Sequence, residues 1–480
     1  MSAKLHFHFS GICGTAMASL AVLLKIRGHR ITGSDQNVYP PMSTLLEENG
    51  IPVMEGYAAE HLDPAPDYVV LGNALSRGNA EVEYALKAHL HYLSMAELLK
   101  NEFIRGRRSL VITGTHGKTS TTTLAAHVFT ACGKPTGFLI GGVPENFGTS
   151  SKDVEPGGYF VVEGDEYDTS LFDKRSKFFH YLPDCLIINN IEFDHADIFD
   201  NLEQIKRSFV LMLRQIPENG LILANGDDPN AVEVAGQGYS RVVTFGTGEG
   251  NDGRIEKMQP RMGRVGMSFE LHYAGRVYPF EIPLMGEFNV RNATGVILLA
   301  LEEGIEPAAI QAALDSYKHV KRRLQLVSKQ ETIRVFDDFA HHPTAIHETL
   351  GAVRAAWPEA RIHAIYEPKS NTSVRRIHQE RMAWAFEGAN EVSFSPLFRA
   401  ERLKPAERLD LGLICKELQA KGLTAQVGED LDLMAQEAAQ KAQPGDIILV
   451  MSNGDFGGMQ RKIAALVDQK VAALDQPPKK

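Results

Sequence analysis

The sequence predicts an α/β protein of three domains: a Rossmann-like N-terminal domain, a central P-loop ATPase-like domain with a small extra β-sheet, and a C-terminal Rossmann-like α/β domain. Three observations predict it. The chain has 480 residues, more than the roughly 250–300 at which one hydrophobic core stops growing. Three successive blocks each open with a β-branched or aromatic run that ends in a glycine- or acid-rich turn, the mark of a new parallel sheet. Helix-period segments separate the strands of the third block. The boundaries fall near residues 108 and 322, giving domains 1–108, 109–322 and 323–480.

The first block opens with a strand over Leu5 to Phe9, a turn containing Gly11 and Gly14, and a helix from Thr15 to Arg27. A second strand ends at Thr32-Gly33-Ser34-Asp35. Strand, glycine turn, helix, strand and terminal acid within about 30 residues is a Rossmann-like layout, in which a helix N-terminus receives phosphate. The GxGxxG spacing is absent, so a nucleotide pocket and a tight structural turn both remain open here. The second block starts at Ser109 to Thr113, and its strands continue near Tyr159 to Val162, Cys185 to Ile191 and Leu221 to Leu223. A polar, β-rich stretch from Arg241 to Pro283 forms the extra sheet. The third block has strands near Ile333 to Phe336, Arg361 to Tyr366, Glu391 to Phe394 and Asp446 to Met451, and the last residues, Asp475 to Lys480, read as a frayed tail.

Composition removes several function classes. A net charge of −10 argues against a nucleic-acid surface. No apolar run reaches the roughly 18 residues of a membrane span, and histidines interrupt the apolar start that a secretory signal needs, so a cytoplasmic location is expected. Cys13, Cys132, Cys185 and Cys415 form no CxxC pair, which indicates neither a zinc site nor a disulfide framework.

Gly114-Thr115-His116-Gly117-Lys118-Thr119-Ser120 lies between an apolar strand and a helix from Ser120 to Ala131. A phosphate loop needs glycines so that backbone N–H groups approach the anion, a lysine for the outer phosphates, and a hydroxyl for magnesium. All are present, although Ile112 stands where the strict motif has its first glycine. ATP and Mg2+ are the expected ligands; the bland alternative is a glycine turn with a solvated lysine. Metal-assisted phosphoryl chemistry also requires oxygen or imidazole ligands at strand ends facing the loop. Glu163 opens the acid cluster Glu163-Gly164-Asp165-Glu166-Tyr167-Asp168 after one strand, and Asp194-His195 follows another. Acid clusters are usually solvated turns, and a lone histidine after a strand is usually structural. Their placement at the carboxyl ends of strands in the same sheet favours Thr119, Glu163 and His195 as metal ligands and Lys118, Glu163 and His195 as catalytic residues.

In order along the chain, GTHGKTS, EGDEYD and NNIEFDH, then Gly286-Glu287-Phe288-Asn289-Val290-Arg291-Asn292, Arg322-Arg323 and Asp337-Asp338-Phe339-Ala340-His341-His342-Pro343, together resemble the Mur ligases. These are the ATP-dependent amide-forming enzymes of peptidoglycan metabolism. The resemblance spans all three blocks, and Ile112 then reads as the ligase form of the loop. Phe288 departs from it, standing where the family usually has histidine. HHP and the GICGT turn followed by GSD resemble the branch that acts directly on UDP-N-acetylmuramate. Gly33 to Ser43, Gly72 to Asn79, Asp173 to Phe178, Glu367 to Thr372 and Met451 to Gly458 favour its peptide-adding member over the alanine-adding one, with Lys369 in place of an expected arginine.

The resemblance implies that the lactyl carboxylate of UDP-N-acetylmuramate is joined to the murein tripeptide L-alanyl-γ-D-glutamyl-meso-diaminopimelate through an acyl phosphate, in peptidoglycan recycling. It places Gly114 to Ser120, Asn289, Asn292, Arg323 and Asp338 on ATP. Gly11, Gly14, Thr15, Ser34, Asp35, Asn73 and Ala74 fall on the UDP-sugar, with a turn acid as the other reading of Asp35. Lys369, Ser370, Asn371, Thr372 and Asn453 fall on the peptide. Relatives carry a carbamylated lysine where this chain has Val210, so no carbamate is expected. The rivals are L-alanine as amine donor, a catalytically silent UDP-sugar sensor, and a P-loop kinase.

Overall fold

The structure, a computed structural model, describes residues 4–196, 198–261 and 265–474; Asp197 and the tail Asp475 to Lys480 lie outside them. Three sheets organise the chain. The first has the order Val53–Glu55, Arg30–Asp35, His6–Ser10, Tyr68–Leu71, Tyr92–Ser94, all parallel. That Rossmann-like order puts the crevice where the winding reverses, at the carboxyl end of His6–Ser10. The helix Thr15–Ile26 begins directly after Gly14 and buries Met17 through Leu24.

The second sheet has ten strands. Its parallel heart places Arg108–Thr113 between Cys185–Ile188 and Tyr159–Gly164. The register pairs Thr113 with Gly164 and with Ile188, so three chains leave the sheet at one level and the loops that follow meet. The strands Gly253–Pro260, Met267–Tyr273 and Arg276–Ile282 pair antiparallel with one another, and Gly253–Pro260 joins the parallel strand Arg241–Gly246. The small sheet is therefore an extension of the main one. Two apolar helices, Lys118–Ala131 and Glu287–Glu302, cover one face, burying Leu124, Val128 and Phe129 with Val296, Ile297 and Leu298.

The third sheet runs Gln325–Leu326, Arg334–Asp338, Ile447–Met451, Ile362–Tyr366, Glu391–Phe394, Thr424–Val427, with only the first strand antiparallel. The near-continuous apolar runs of its strands follow from helices on both faces. N-terminal and central domains share one continuous core, reinforced by Arg27, whose Nε and Nη2 donate to the two oxygens of Asp153 at 2.6 and 2.8 Å. Phe288 packs against the core of the C-terminal domain, so the position that departs from the expected histidine serves as an interdomain contact. Among the described residues no helix is long and apolar enough to cross a membrane.

Candidate active site

The phosphate loop follows the central strand because the backbone needs room that only glycine leaves. Gly117 caps the helix Lys118–Ala131 with φ +81°, in the left-handed region. The helix starts at Lys118, two residues earlier than the pattern suggested, so the N–H groups of its first turn face the loop. Lys118 Nζ donates to Gly114 O at 2.8 Å and to the Glu166 carboxylate at 2.9 and 3.2 Å. Thr119 Oγ1 donates to Glu163 Oε2 at 3.0 Å, while the Gly141 N–H donates to Glu163 Oε1 at 2.7 Å. His195 Nε2 lies 2.9 Å from Glu166 Oε1.

Glu166 is the residue the pattern missed. Its side chain is 3% exposed and ties Lys118 to His195. Burial alone would raise its pKa, but the charges and hydrogen bonds of Lys118 and His195 outweigh that and hold it at about 2. The same contacts raise both Lys118 and His195 against their own burial. Glu163 behaves oppositely: burial, then repulsion from Asp165, pushes it above the usual carboxylate range. A buried carboxylate held up by desolvation beside a hydroxyl is a hard-oxygen set that suits Mg2+. Thr119 and Glu163 fit such an ion by the chemistry of these donors, and the His195 imidazole fits a second.

A cavity of ≈ 610 Å³ joins these groups to the C-terminal domain. It is lined by Thr115 to Ser120, Glu163 and His195 from the central domain, and by Asn289, Asn292, Arg323, Asp338 and His341. Gly114 stands behind it, against Asn189 and Asn190. The Arg323 guanidinium lies 4.8 Å over the Phe339 ring. Asp338 is spent on the backbone, accepting from Leu324 N–H at 2.7 Å and Ala340 N–H at 2.8 Å, so it shapes the turn that carries Arg323. Asn289 donates to Met285 O at 2.8 Å.

The peptide candidates gather at the carboxyl ends of the adjacent strands Ile362–Tyr366 and Ile447–Met451. Lys369 Nζ sits 4.8 Å over Phe398 and 3.7 Å from Glu367. Thr372 Oγ1 accepts from the Ala196 N–H at 3.3 Å, one residue from His195. Ser370 Oγ accepts from the Ser373 N–H at 3.0 Å, Asn371 follows in the same turn, and Asn453 Oδ1 is buried without a partner.

In the N-terminal domain Gly11, Gly14 and Thr15 form the crevice turn, with Asn73 and Ala74 exposed beside it. Gly72 packs on Gly11 so closely that a Cβ would meet Ser10 O at 3.0 Å. Asp35 accepts from Cys13 N–H and Asn37 N–H, both at 2.9 Å, so it acts at least as a turn acid. Ser34 requires a correction. It is fully buried, and its hydroxyl donates to Glu81 Oε2 at 2.7 Å, so it supports the crevice from below and does not face a ligand.

Glu81, fully buried, also accepts from Ser10 Oγ at 2.5 Å and lies 2.8 Å from His61 Nδ1. It sits on a helix that offered no motif. Burial raises its pKa, but hydrogen bonds from His8, Ser10, Ser34 and His61 outweigh that and hold it at about 2, below its ordinary 4.5. A depressed carboxylate contributes stability above its unfolded pKa and loses it as pH falls through the folded one. Its contribution, about 3 kcal/mol, is therefore lost between pH 4.5 and pH 2. Glu81→Gln is expected to lower the urea midpoint at pH 7 and to narrow the gap to wild type at pH 3; equal midpoint shifts at both pH values would refute the account.

Residues 6–106 match the Mur ligase family catalytic domain, 112–300 the Mur ligase middle domain, and 322–454 the Mur ligase glutamate ligase domain. The chain belongs to the Mur ligase family, the ATP-dependent amide-bond-forming ligases. It is 41% identical over 459 residues to the UDP-N-acetylmuramate–L-alanyl-γ-D-glutamyl-meso-2,6-diaminoheptandioate ligase of Haemophilus influenzae, covering 95% of this chain and 98% of that one. It is 40% identical over 470 residues to the enzyme of the same name from Escherichia coli K12, covering 98% and 100%. The crystal structure of a murein peptide ligase from Psychrobacter arcticus 273-4 is 34% identical with a TM-score of 0.70, over 97% of this chain and 99% of that one.

Proposed function

We propose that this ligase joins the lactyl carboxylate of UDP-N-acetylmuramate to the free amine of L-alanyl-γ-D-glutamyl-meso-diaminopimelate, converting ATP to ADP and phosphate, in the recycling of peptidoglycan. The observation that carries the reading is one cavity lined by Lys118, Glu163 and His195 on one side and by Arg323 and His341 of the next domain on the other. A phosphate loop that faced a kinase acceptor would not require a third α/β domain across it. The amine donor is inferred from the near-full-length likeness to enzymes named for that tripeptide. ATP and nucleotide-sugar substrates place the reaction in the cytoplasm.

A carboxylate is a poor acyl donor, because its leaving group would be oxide. Its oxygen attacks the γ-phosphorus, ADP leaves, and an acyl phosphate forms. The peptide amine then attacks the carbonyl carbon, and the tetrahedral adduct collapses to the amide and inorganic phosphate. Lys118 leaves Glu166 for the phosphates when ATP binds, neutralising charge on the transferring group. Thr119 and Glu163 would hold one Mg2+ and His195 a second, and the ions would supply charge neutralisation at the phosphoryl oxygens. His341 Nδ1 lies 3.1 Å from Phe339 O, which places its proton there and leaves Nε2 to accept from, and orient, the incoming amine. Gly11, Gly14, Thr15, Asn73 and Ala74 hold the UDP moiety, and Lys369 to Thr372 with Asn453 hold the peptide.

Phosphate release measured with ATP, Mg2+, UDP-N-acetylmuramate and a panel of amines tests the reading. The tripeptide is expected to exceed L-alanine in kcat/KM by at least about 100-fold, since polar groups built for the longer substrate stay unpaired with the shorter one. Exclusive use of L-alanine would overturn the amine assignment. Rapid ATP hydrolysis with neither co-substrate would make the chain a nucleotidase, and binding of the UDP-sugar without turnover a silent sensor.

A further inference from the structure

Between the central and C-terminal domains lies a second charged cluster, beside the catalytic cavity that Thr115 and His116 also line. Glu192 grips the phosphate loop through its backbone: its N–H donates to Thr115 Oγ1 at 2.8 Å, and that hydroxyl donates to the Glu192 carbonyl at 3.2 Å. Through its side chain it grips the other domain. Oε2 accepts from Thr344 Oγ1 at 2.8 Å and from Arg381 Nη1 at 3.0 Å, and Arg381 Nη2 donates to Thr344 Oγ1 at 2.9 Å. Oε1 is different. It faces His116 Nε2 at 3.6 Å, beyond hydrogen-bonding distance.

Three imidazoles line this seam, one pair tilted by 40° and the other edge to face. The His116 and His342 rings are 4.3 Å apart, and His342 and His378 are 4.5 Å apart. The Nε2 atoms of all three are buried without a partner, and His342 is 2% exposed. Buried polar atoms seldom stay unpaired. His116, Glu192 and His342 each offer a ligand atom within 4.8 Å of the others, yet the tautomer opposes a metal. His342 Nδ1 accepts the Thr344 N–H at 3.3 Å, capping the helix Pro343–Ala356. A ring nitrogen that accepts carries no proton, so the His342 proton sits on Nε2 and makes that atom a donor, whereas a metal-bound histidine donates from its other nitrogen.

We infer that Glu192 is a positioning residue that couples seating of the C-terminal domain to the phosphate loop, with one oxygen already held by Thr344 and Arg381 and the other left for the imidazole donors of His116 and His342 on full closure. The inference rests on the ligase reading, because it concerns closure before phosphoryl transfer. The Glu192 side chain is 22% exposed, so its hold on the other domain rests on the Thr344 and Arg381 contacts at Oε2. Those contacts seat the C-terminal domain against Glu192, and the Thr115 contacts convey that seating to the loop that holds the phosphates.

The test is a double-mutant cycle across the domain seam. Glu192→Gln and Arg381→Gln are each expected to lower kcat for tripeptide-dependent phosphate release about tenfold, with ADP affinity by calorimetry within about twofold of wild type. The double variant is expected to be no slower than the slower single variant, because both changes break one contact. Arg381 is 45% exposed at its side chain, so its replacement keeps the fold even where that of Glu192 lowers stability. A Glu192→Gln kcat within twofold of wild type, or losses that multiply in the double variant, would overturn the coupling. Absence of amine-dependent turnover in wild type would instead refute the ligase reading. The coupling is then judged by X-ray scattering with ADP bound, where a larger radius of gyration for Glu192→Gln supports it and identical profiles refute it.

Discussion

Lys118→Ala is expected to reduce ATP-dependent amide formation by about a thousandfold, the scale of losing one preorganised charge at a developing anion. The ammonium is buried between Gly114 O and Glu166, so its loss also leaves Glu166 with His195 as its remaining charged partner. A buried charge that loses its partner destabilises by about 3–5 kcal/mol, and thermal unfolding is expected to show it. Adding Glu166→Gln to Lys118→Ala removes the stranded charge; the unfolding temperature is expected to recover while turnover stays at the level of Lys118→Ala. This separates catalytic loss from structural loss. More than a tenth of wild-type turnover in folded Lys118→Ala would remove Lys118 from the phosphoryl-transfer step.

Gly117→Ala is expected to weaken ATP binding by about 100-fold, or about 2.7 kcal/mol. Two costs combine. The left-handed φ of +81° strains any residue with a Cβ by about 1–2 kcal/mol. That Cβ would also lie 2.9 Å from Asn292 Oδ1 and 3.2 Å from Asn189 Nδ2. Asn189 cannot retreat without breaking its bond to Thr121 Oγ1 at 3.0 Å, so Asn292 or the loop must move. Calorimetric titration with ATP checks the loss, and an unchanged affinity would show that the loop conformation is not what receives the phosphates.

Much of this arrangement was legible in the chain. The central strand and its loop were readable because chemistry and local geometry coincide there: an apolar run, glycines, a lysine and a hydroxyl within a few residues. Glu163 and His195 were readable because each directly follows a buried strand of the same sheet, and parallel strands bring their carboxyl ends together. Glu166 was not, although it stands three residues from Glu163. It lies beyond the strand, where period-two alternation no longer states which way a side chain points. Glu81 was hidden for another reason, since its partners Ser10, Ser34 and His61 come from three other segments.

Ser34 shows the limit most directly. A serine before an acid at a strand end carries the same local signal whether its hydroxyl meets a ligand or a buried carboxylate, and the choice belonged to a residue 47 positions away. The strand Gly253–Pro260 illustrates it for the fold, because a polar β-rich stretch states only that strands form. Whether it stood alone or extended the main sheet was decided by pairing with Arg241–Gly246.

The sequence by itself determined the three α/β domains, the phosphate loop and the hard-oxygen character of the groups facing it, because short-range periodicity and residue chemistry are written locally. Only the tertiary structure decided that Glu166 holds Lys118 and His195 together, that Phe288 joins two domains and that Glu192 reaches Thr344 and Arg381. Those contacts arise where separate segments bury one another's charges, and burial between distant segments leaves no local pattern.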